Sequence, residues 1–337
     1  MHRKERIYLE KDNMSKVLFM PVGFFEYDKV IEEEMRNMGY DVTTFSPMAS
    51  YGGFWQKVRN TLSRGNYIKK RAYRMQKEFY ELCSEQYDYV LVIVGRDLDP
   101  NLFSKFKENQ KKAKFILYIW DDFPITKKYN FDAISPFFDE IVSYCPQDSE
   151  KYGFRYRPTF YTNYYLYKEQ EKKYQITMMG TSHSGRVNIW CDLIKKYNIP
   201  QNKTYLYLVC GTLKDLLMGK VFLKKQGLKS KDLHIFSVSL KDSAEIMMRS
   251  KITLDIPQTG QMGVTMRIYE SIAAKTKVIT TNSYIKDYDF YNPNNICIID
   301  KDNPEVPKEF WNTPFEAIDQ SIMEKYTVRQ WVTDIFS

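Results

Sequence analysis

The sequence is poor in the residues that build metal sites and disulfide frameworks. It has 3 histidines and 5 cysteines in 337 residues, and no two cysteines form a C-x-x-C pair. An odd number of widely spaced cysteines is not a disulfide framework, so we expect a reducing, cytoplasmic environment. The scarcity of histidine argues against a His-rich metal site, and we expect no metal.

Long apolar runs and a secretory signal are also missing. No stretch of about 18 apolar residues occurs, so no membrane span is predicted. The first residues, MHRKERIYLEKDNMSK, contain no apolar core and do not resemble a signal peptide. With 43% hydrophobic and 27% charged residues, the composition is that of a globular, soluble protein.

Positive charge is concentrated in one segment, 57–77. The net charge is +8, and this segment holds eight cations and no acid: Lys57, Arg59, Arg64, Lys69, Lys70, Arg71, Arg74 and Lys77. Aromatic and aliphatic residues alternate with them, as on a basic amphipathic surface. Such a surface binds anionic lipid heads; a solvated helix face is the alternative. No nucleic-acid motif accompanies the charge, so we expect no nucleic acid as partner.

Short apolar runs alternate with helical patterns along the whole chain. In the first half the predicted strands are 16–20, 41–45, 87–95, 114–120 and 140–144; in the second they include 174–179, 205–209, 252–256 and 277–281. The β-branched run 87–95 is typical of a strand buried on both faces. Alternation of this kind predicts α/β domains with doubly wound sheets.

The length and a polar, Tyr-rich stretch at 155–173 divide this pattern into two domains. We therefore predict two Rossmann-like domains facing a cleft. The boundaries are an N-terminal extension at 1–15, a first domain at 16–160, a second at 161–312 and C-terminal helices at 313–337. These last helices are predicted to pack back on the first domain.

The segment 255–282 carries the most informative pattern: strand, glycine-containing loop, helix and strand. The loop ends with Gly263 and Val264, and the helix starts near Thr265. Amides at a helix start favour an anion. Arg267 in the first turn can pair with a phosphate, and Glu270 can accept ribose hydroxyls. The alternative is an ordinary capped helix whose Arg267 and Glu270 form a surface i,i+3 pair.

A second turn that follows a strand, GTSHSGR at 180–186, offers further donor-side groups. Its candidates are Gly180, Ser182, His183 and Arg186, which we expect at the carboxyl end of the sheet. The spacing matches neither the dinucleotide nor the Walker motif. His183 is either a ligand to phosphate or sugar or a solvent-exposed loop residue.

In the first domain, acids follow two predicted strands. Glu26 lies in PVGFFEY after the first strand, and Asp121 and Asp122 directly follow Trp120 at the end of a buried one. Any of the three is a candidate general base for an acceptor hydroxyl. Helix capping or turn formation is the alternative for the Asp pair.

Several motifs, in this order along the chain, resemble bacterial glycosyltransferases of the CgeB-like, capsule and lipopolysaccharide type. They are ILYIWDD at 116–122, MGTSHSGR at 179–186, G-x-T-M-R-x-x-E-S at 263–271 with K-x-I-T-T-N at 277–282, and DYDFYNPNNICIID at 287–300. The resemblance runs from about residue 16 to the end. It implies a type B (GT-B) glycosyltransferase fold, with the donor on the second domain, the acceptor on the first and no metal.

By this resemblance Gly263, Thr265 and Arg267 hold the diphosphate and Glu270 the ribose. Many retaining members carry a second acid eight positions before that Glu, where this chain has Met262. The predicted function is transfer of a hexose from a UDP- or other nucleoside-diphosphate sugar to a surface polysaccharide or lipid-linked acceptor, with no further cofactor. The predicted location is cytoplasmic and peripheral on the inner face of the membrane, held by segment 57–77. Two alternatives stay open: a nucleotide-sugar epimerase of the same fold, and a non-catalytic coat or scaffold protein.

Overall fold

The structure, a computed structural model, describes residues 14–23, 26–48, 62–63, 65–181, 184–210, 219, 232–234 and 236–337. They form two compact units. The first contains the described residues up to Pro158 together with Val328–Ser337, and the second contains those in Thr159–Thr327.

The first unit is a parallel sheet with helices between its strands. Its described strands are β1 (Lys16–Met20), β2 (Asp41–Thr44), β3 (Tyr89–Ile93), β4 (Lys114–Ile119), β5 (Glu140–Ser143) and β6 (Arg155–Tyr156). Its described helices are α1 (Tyr27–Asn37), α2 (Asn66–Leu82), α3 (Pro100–Asn109), α4 (Phe123–Thr126), α5 (Phe131–Ile134), α6 (Pro146–Tyr152) and, from the far end of the chain, α12 (Val328–Ile335).

The strand order is β2-β1-β3-β4-β5-β6, and every pair is parallel. Strand β2 pairs with one side of β1, and β3 pairs with the other side. The topological switch point therefore lies between β1 and β3. Val90, Leu91 and Val92 in β3 have no exposed surface, which confirms the predicted strand with two covered faces.

The last described helix completes the first unit. The Trp331 ring in α12 is fully buried and meets the Tyr118 ring of β4 edge-on, with 4.9 Å between centroids. A salt bridge of 2.8 Å joins Arg157 Nε to Asp334 Oδ2. Residues 328–337 are therefore part of the first unit's core, whereas the preceding C-terminal helices belong to the second unit.

The second unit repeats the parallel α/β plan. Its described strands are β7 (Tyr174–Thr181), β8 (Thr204–Val209), β9 (Leu233–His234), β10 (Ser250–Asp255), β11 (Lys277–Thr280) and β12 (Ile296–Ile298). Its described helices are α7 (Arg186–Lys196), α8 (Leu240–Met248), α9 (Met266–Ala273), α10 (Lys308–Asn312) and α11 (Gln320–Glu324).

The order β12-β11-β10-β7-β8-β9 is that of a doubly wound Rossmann sheet. Its switch point lies between β7 and β10, which pair in parallel with Ile252 opposite Ile176. Both units therefore confirm the predicted α/β class and its two Rossmann-like sheets.

The Tyr-rich stretch at 155–173, predicted as a connection between domains, is more ordered than expected. Arg155–Tyr156 forms β6 of the first sheet. Tyr165 is fully buried in the second unit, where its hydroxyl donates to Ser243 Oγ at 3.0 Å. The sequence of this stretch has no periodicity because individual side chains such as Tyr165, and not one face of a helix or strand, pack against the domain.

The five cysteines all lie in the described residues, and none of them forms a disulfide. Among the residues that the structure describes, no helix combines the length and the apolar character needed to cross a bilayer.

Candidate functional site

Two neighbouring strands of the second sheet end at the same edge. β7 ends at Thr181 and β10 at Asp255, on either side of the switch point. Ligands of open parallel sheets bind outside the carboxyl ends of the strands at such a point. The two motifs singled out in the sequence follow these two strands, so the fold brings them together.

Arg186 joins the two loops. Its Nη1 donates to the Thr181 carbonyl at 3.1 Å, and its Nη2 donates to the Ile256 carbonyl across the switch point. A Cβ at Gly180 would lie 2.9 Å from Arg186 Nη1, so a residue without a side chain leaves room for the guanidinium. Burial lowers the pKa of Arg186 and the Asp255 carboxylate opposes that change. An arginine side chain stays charged at neutral pH.

A second hydrogen bond connects these loops: the Thr259 backbone amide donates to the Ser184 side-chain Oγ at 3.2 Å. Two of the predicted donor-side residues, Ser182 and His183, lie outside the described residues.

The helix α9 begins at this edge without a side-chain cap. Thr265 occupies the N-cap position, but its hydroxyl donates to Asp255 Oδ2 at 2.9 Å instead of accepting from a first-turn amide. The Ile268 amide donates to the Thr265 carbonyl at 3.1 Å, and the helix dipole makes this end of α9 positive. The start of α9 is therefore suited to an anion.

The loop before α9 is held by Asn282, whose Nδ2 donates to the carbonyls of Met262 at 3.1 Å and Gly263 at 3.2 Å. The Val264 side chain is buried in an apolar cluster with Tyr269. Of the predicted donor-side residues, Val264 can therefore offer only its backbone.

Arg267 is the centre of a polar cluster on α9. Its Nη1 lies 3.4 Å from Glu270 Oε2 and donates to Ser243 Oγ at 3.1 Å. The Glu270 side chain is 1% exposed and the Arg267 side chain 23%. The alternative of a surface pair is therefore wrong, because the Glu270 side chain is buried and the Arg267 side chain is only partly exposed.

Sequence reasoning missed two members of this cluster, Ser243 and Tyr165. Ser243 Oγ accepts from both Arg267 and Tyr165. Burial, with the Glu270 charge in addition, raises the pKa of Tyr165, so its phenol stays protonated and acts as a donor. Both residues come from elements far from α9 in sequence, and nothing in the local pattern marks them.

In the first unit, the Asp122 side chain has a structural role. It is buried and accepts a hydrogen bond from the Tyr144 hydroxyl. Although it stands at the N-cap of α4, its side chain does not cap the helix. The cap comes from Asp148, whose Oδ2 accepts from the Phe123 amide at 2.6 Å. Sequence reasoning missed Asp148, which lies on α6 after the next strand.

Asp121 is the more accessible acid of the pair. Its side chain is half-buried, and burial together with the neighbouring Asp122 charge raises its pKa, while Arg96 opposes the shift. A carboxylate with a raised pKa is a stronger base. Arg96 follows β3, the strand next to β4, and was not predicted.

Glu26 lies at the same sheet edge as Asp121. It is exposed and begins α1 in the left-handed conformation, with φ 64°. The next residue, Tyr27, places its ring 6.2 Å from the Trp120 ring at the end of β4. The three predicted acids of the first unit therefore follow strands on either side of β3.

One group in the first unit has metal-ligand chemistry. The side chains of Asp122, Cys145 and Asp148 place one ligand atom each within 4.8 Å of one another, and all three are buried. Burial raises the pKa of Cys145 to about 12, whereas a metal requires the thiolate. The two carboxylates already accept from Tyr144 and Phe123, so hydrogen bonding accounts for this group.

No protein-family model matches the chain, and no curated protein matches it. Solved structures, in contrast, share its fold over almost its whole length. HepE from Anabaena in complex with UDP-glucose aligns with a TM-score of 0.59 and 11% identity, covering 95% of this chain and 99% of that one. An α-glucosyltransferase in complex with UDP and DNA gives 0.57 and 13%, with 96% and 91% covered.

Sucrose-phosphate synthase from Thermosynechococcus elongatus gives a TM-score of 0.56 at 12% identity, covering 96% of this chain and 95% of that one. At these identities the likeness shows the fold. The chain therefore has the fold of GT-B glycosyltransferases, with two Rossmann-like domains that each carry a parallel six-stranded sheet.

Proposed function

We propose that this chain is a glycosyltransferase that takes a hexose from a nucleoside-diphosphate sugar and binds that donor at the carboxyl edge of the second sheet. One observation carries the proposal: the charges of Arg186 and Arg267 and the N-cap residue Thr265 of α9 all act on Asp255, the last residue of β10. Two guanidinium groups and a positive helix end are groups that suit a diphosphate, which supports this proposal.

The same groups suit the chemistry of transfer. When the bond between the sugar and the diphosphate breaks, negative charge develops on the departing phosphate oxygens. A fixed guanidinium and oriented amides stabilise that charge without reorganising. Glu270 and Ser243 hold the Arg267 guanidinium in place, so it is positioned before the donor binds.

The related structures favour a uridine nucleotide as donor. HepE has been solved with UDP-glucose and with UDP, and the α-glucosyltransferase with UDP. We therefore propose a UDP-hexose for this chain.

The role predicted for Glu270 as a ribose ligand remains a prediction. Its carboxylate is covered in this structure, where it lies against Arg267. We assign it first to the positioning of Arg267; a ribose contact would require the carboxylate to become exposed.

The first unit is proposed to bind the acceptor without help from a metal, and Asp121 to take the proton from the acceptor hydroxyl. The acceptor is proposed to be a surface polysaccharide or a lipid-linked oligosaccharide. The exposed cations Lys69, Lys70 and Arg74 on α2 support this choice, because a basic helix can rest on anionic lipid.

Thermal unfolding tests the donor site. UDP and UDP-glucose should raise the melting temperature of the wild type more than AMP does. Arg267→Ala should weaken UDP binding by roughly 10- to 100-fold, the cost of a charge-assisted hydrogen bond. The matched control is Arg249→Ala, which removes an arginine from an exposed i,i+4 pair in the same unit.

Both variants should remain folded, as checked by their circular dichroism. Equal UDP affinity in wild type and Arg267→Ala would remove this residue from the donor site. A wild type that responds to none of the nucleotide sugars would remove the proposed function.

A further inference from the structure

A second basic site lies at the opposite edge of the second sheet. A cavity of about 430 Å³ opens at the amino ends of β10 and β11, whereas Arg186 and Arg267 lie at the carboxyl ends. Four lysines line it: Lys172, Lys251, Lys275 and Lys277. Its volume falls within the range of small-molecule pockets, roughly 300–1,000 Å³.

The positive charge of this cavity is not neutralised. No lining residue is acidic, and none of the four lysines forms a salt bridge with a described residue. Burial lowers the pKa of Lys172 and of Lys277 to about 8, and Cys297 and Glu316 oppose this change at Lys277 only in part. Clustered ammonium groups without acids are costly unless an anion joins them.

Two of the lysines, Lys172 and Lys277, form hydrogen bonds with segments that line the cavity. Lys277 Nζ donates to the Phe310 carbonyl and to Thr313 Oγ1, both at 2.7 Å, and so holds the wall formed by this segment. Lys172 Nζ donates to the Lys275 carbonyl at 3.1 Å and pins the opposite wall to the turn after α9. These hydrogen bonds fix the walls of the cavity before a ligand binds.

The other two lysines can reach a ligand. Both Lys251 and Lys275 are exposed, and Lys275 Nζ lies 4.7 Å from the centre of the Tyr167 ring. The lining also includes Trp311 and Phe315, so flat apolar walls stand beside the ammonium groups. Aromatic faces next to cations suit a molecule that has a planar ring and a charged phosphate.

We propose that this lysine pocket binds a small phosphate-bearing ring compound of the nucleotide class, at a site separate from the donor edge. The inference does not depend on the proposed glycosyl transfer. To distinguish the two sites, the pocket is tested in the Arg267→Ala background, in which the donor site is weakened.

The probe is ADP, and its binding is measured by calorimetry and by the change in tryptophan fluorescence. We expect one ADP per chain in Arg267→Ala, and binding at least tenfold weaker when Lys251→Gln and Lys275→Gln are added. A matched control adds Lys195→Gln and Lys241→Gln, which remove the same charge from exposed positions in α7 and α8. The control should bind ADP as its parent does.

The fluorescence change should disappear in Trp311→Phe. Inorganic pyrophosphate should bind more weakly than ADP, because it cannot use the aromatic walls. Equal losses in the pocket and control variants would show only diffuse charge attraction and overturn the proposal. So would pocket-dependent binding of phosphatidic acid vesicles without binding of ADP, which would assign the site to a lipid head group.

Discussion

The carboxyl edges of the two sheets carry different sets of charged side chains: acids together with Arg96 in the first unit, and two arginines together with Asp255 and Glu270 in the second. In the first unit, this edge presents Glu26 and Asp121, with Asp122 behind them. In the second unit, the corresponding edge presents the guanidinium groups of Arg186 and Arg267. Both edges have parallel strands that lead into helix starts, so the backbone contribution is similar.

Because the sheets are alike, the proposed difference in ligands between the two edges comes from the side chains. Helix starts attract anions at either edge. In the first unit, buried and half-buried carboxylates oppose an anion and favour a neutral ligand that donates hydrogen bonds, such as a sugar hydroxyl. In the second unit, arginine adds to the backbone field and favours a phosphate.

The variant with the largest expected effect on this contrast is Asp121→Asn. If the first edge supplies the base, turnover of the donor, measured as released UDP, should fall by about 10²- to 10⁴-fold. The affinity for UDP should not change, since that belongs to the second unit.

The pH dependence of the wild type gives a further check on Asp121. Because the pKa of this carboxyl is raised above its ordinary 3.8, the rate should increase with pH through a value higher than 3.8. An Asp121→Asn variant with wild-type turnover would exclude this residue as the base, and Glu26→Gln would then be the next variant to measure.

A smaller effect is expected when the stability of the first unit alone is lowered. Trp331→Ala removes a fully buried ring and should destabilise the first unit by about 3–5 kcal/mol. Denaturant unfolding measures this loss, and Trp331→Phe, which keeps an aromatic ring, should lose less. UDP binding should survive in the variant under native conditions. Its loss together with the first unit would show that the units do not fold independently.

The smallest effect concerns the surface of the first unit. Neutralising Lys69, Lys70 and Arg71 should weaken flotation with anionic liposomes, by about 1 kcal/mol for each cation near the membrane. The control replaces Lys105, Lys111 and Lys112 with glutamine, at exposed positions of the same unit. Undiminished flotation would remove the membrane proposal.

The fold was predictable because its signals are local. Continuous β-branched runs such as 87–95 mark buried parallel strands, and a turn follows each of them. The same locality placed Thr265 at the start of α9 and Asp121 two residues after β4. Residues at the ends of strands can be assigned to an edge once the sheet is known to be parallel.

The partners of these residues were not predictable. Ser243 lies 24 positions from Arg267, and Tyr165 lies 78 positions from Ser243, so their meeting depends on packing between elements. Burial is equally non-local: Glu270 has the spacing of a surface pair, but the elements packed around α9 cover it. Asp148, rather than the adjacent Asp122, caps α4 for the same reason.

The position of α12 has a consequence for the order in which the protein is made. The ribosome completes the polypeptide of the second unit before it reaches residue 328, yet Trp331 belongs to the core of the first unit. Domains usually fold as they emerge, with the N-terminal one first. Here the first unit should remain unfinished during synthesis, and the second should reach its native state earlier.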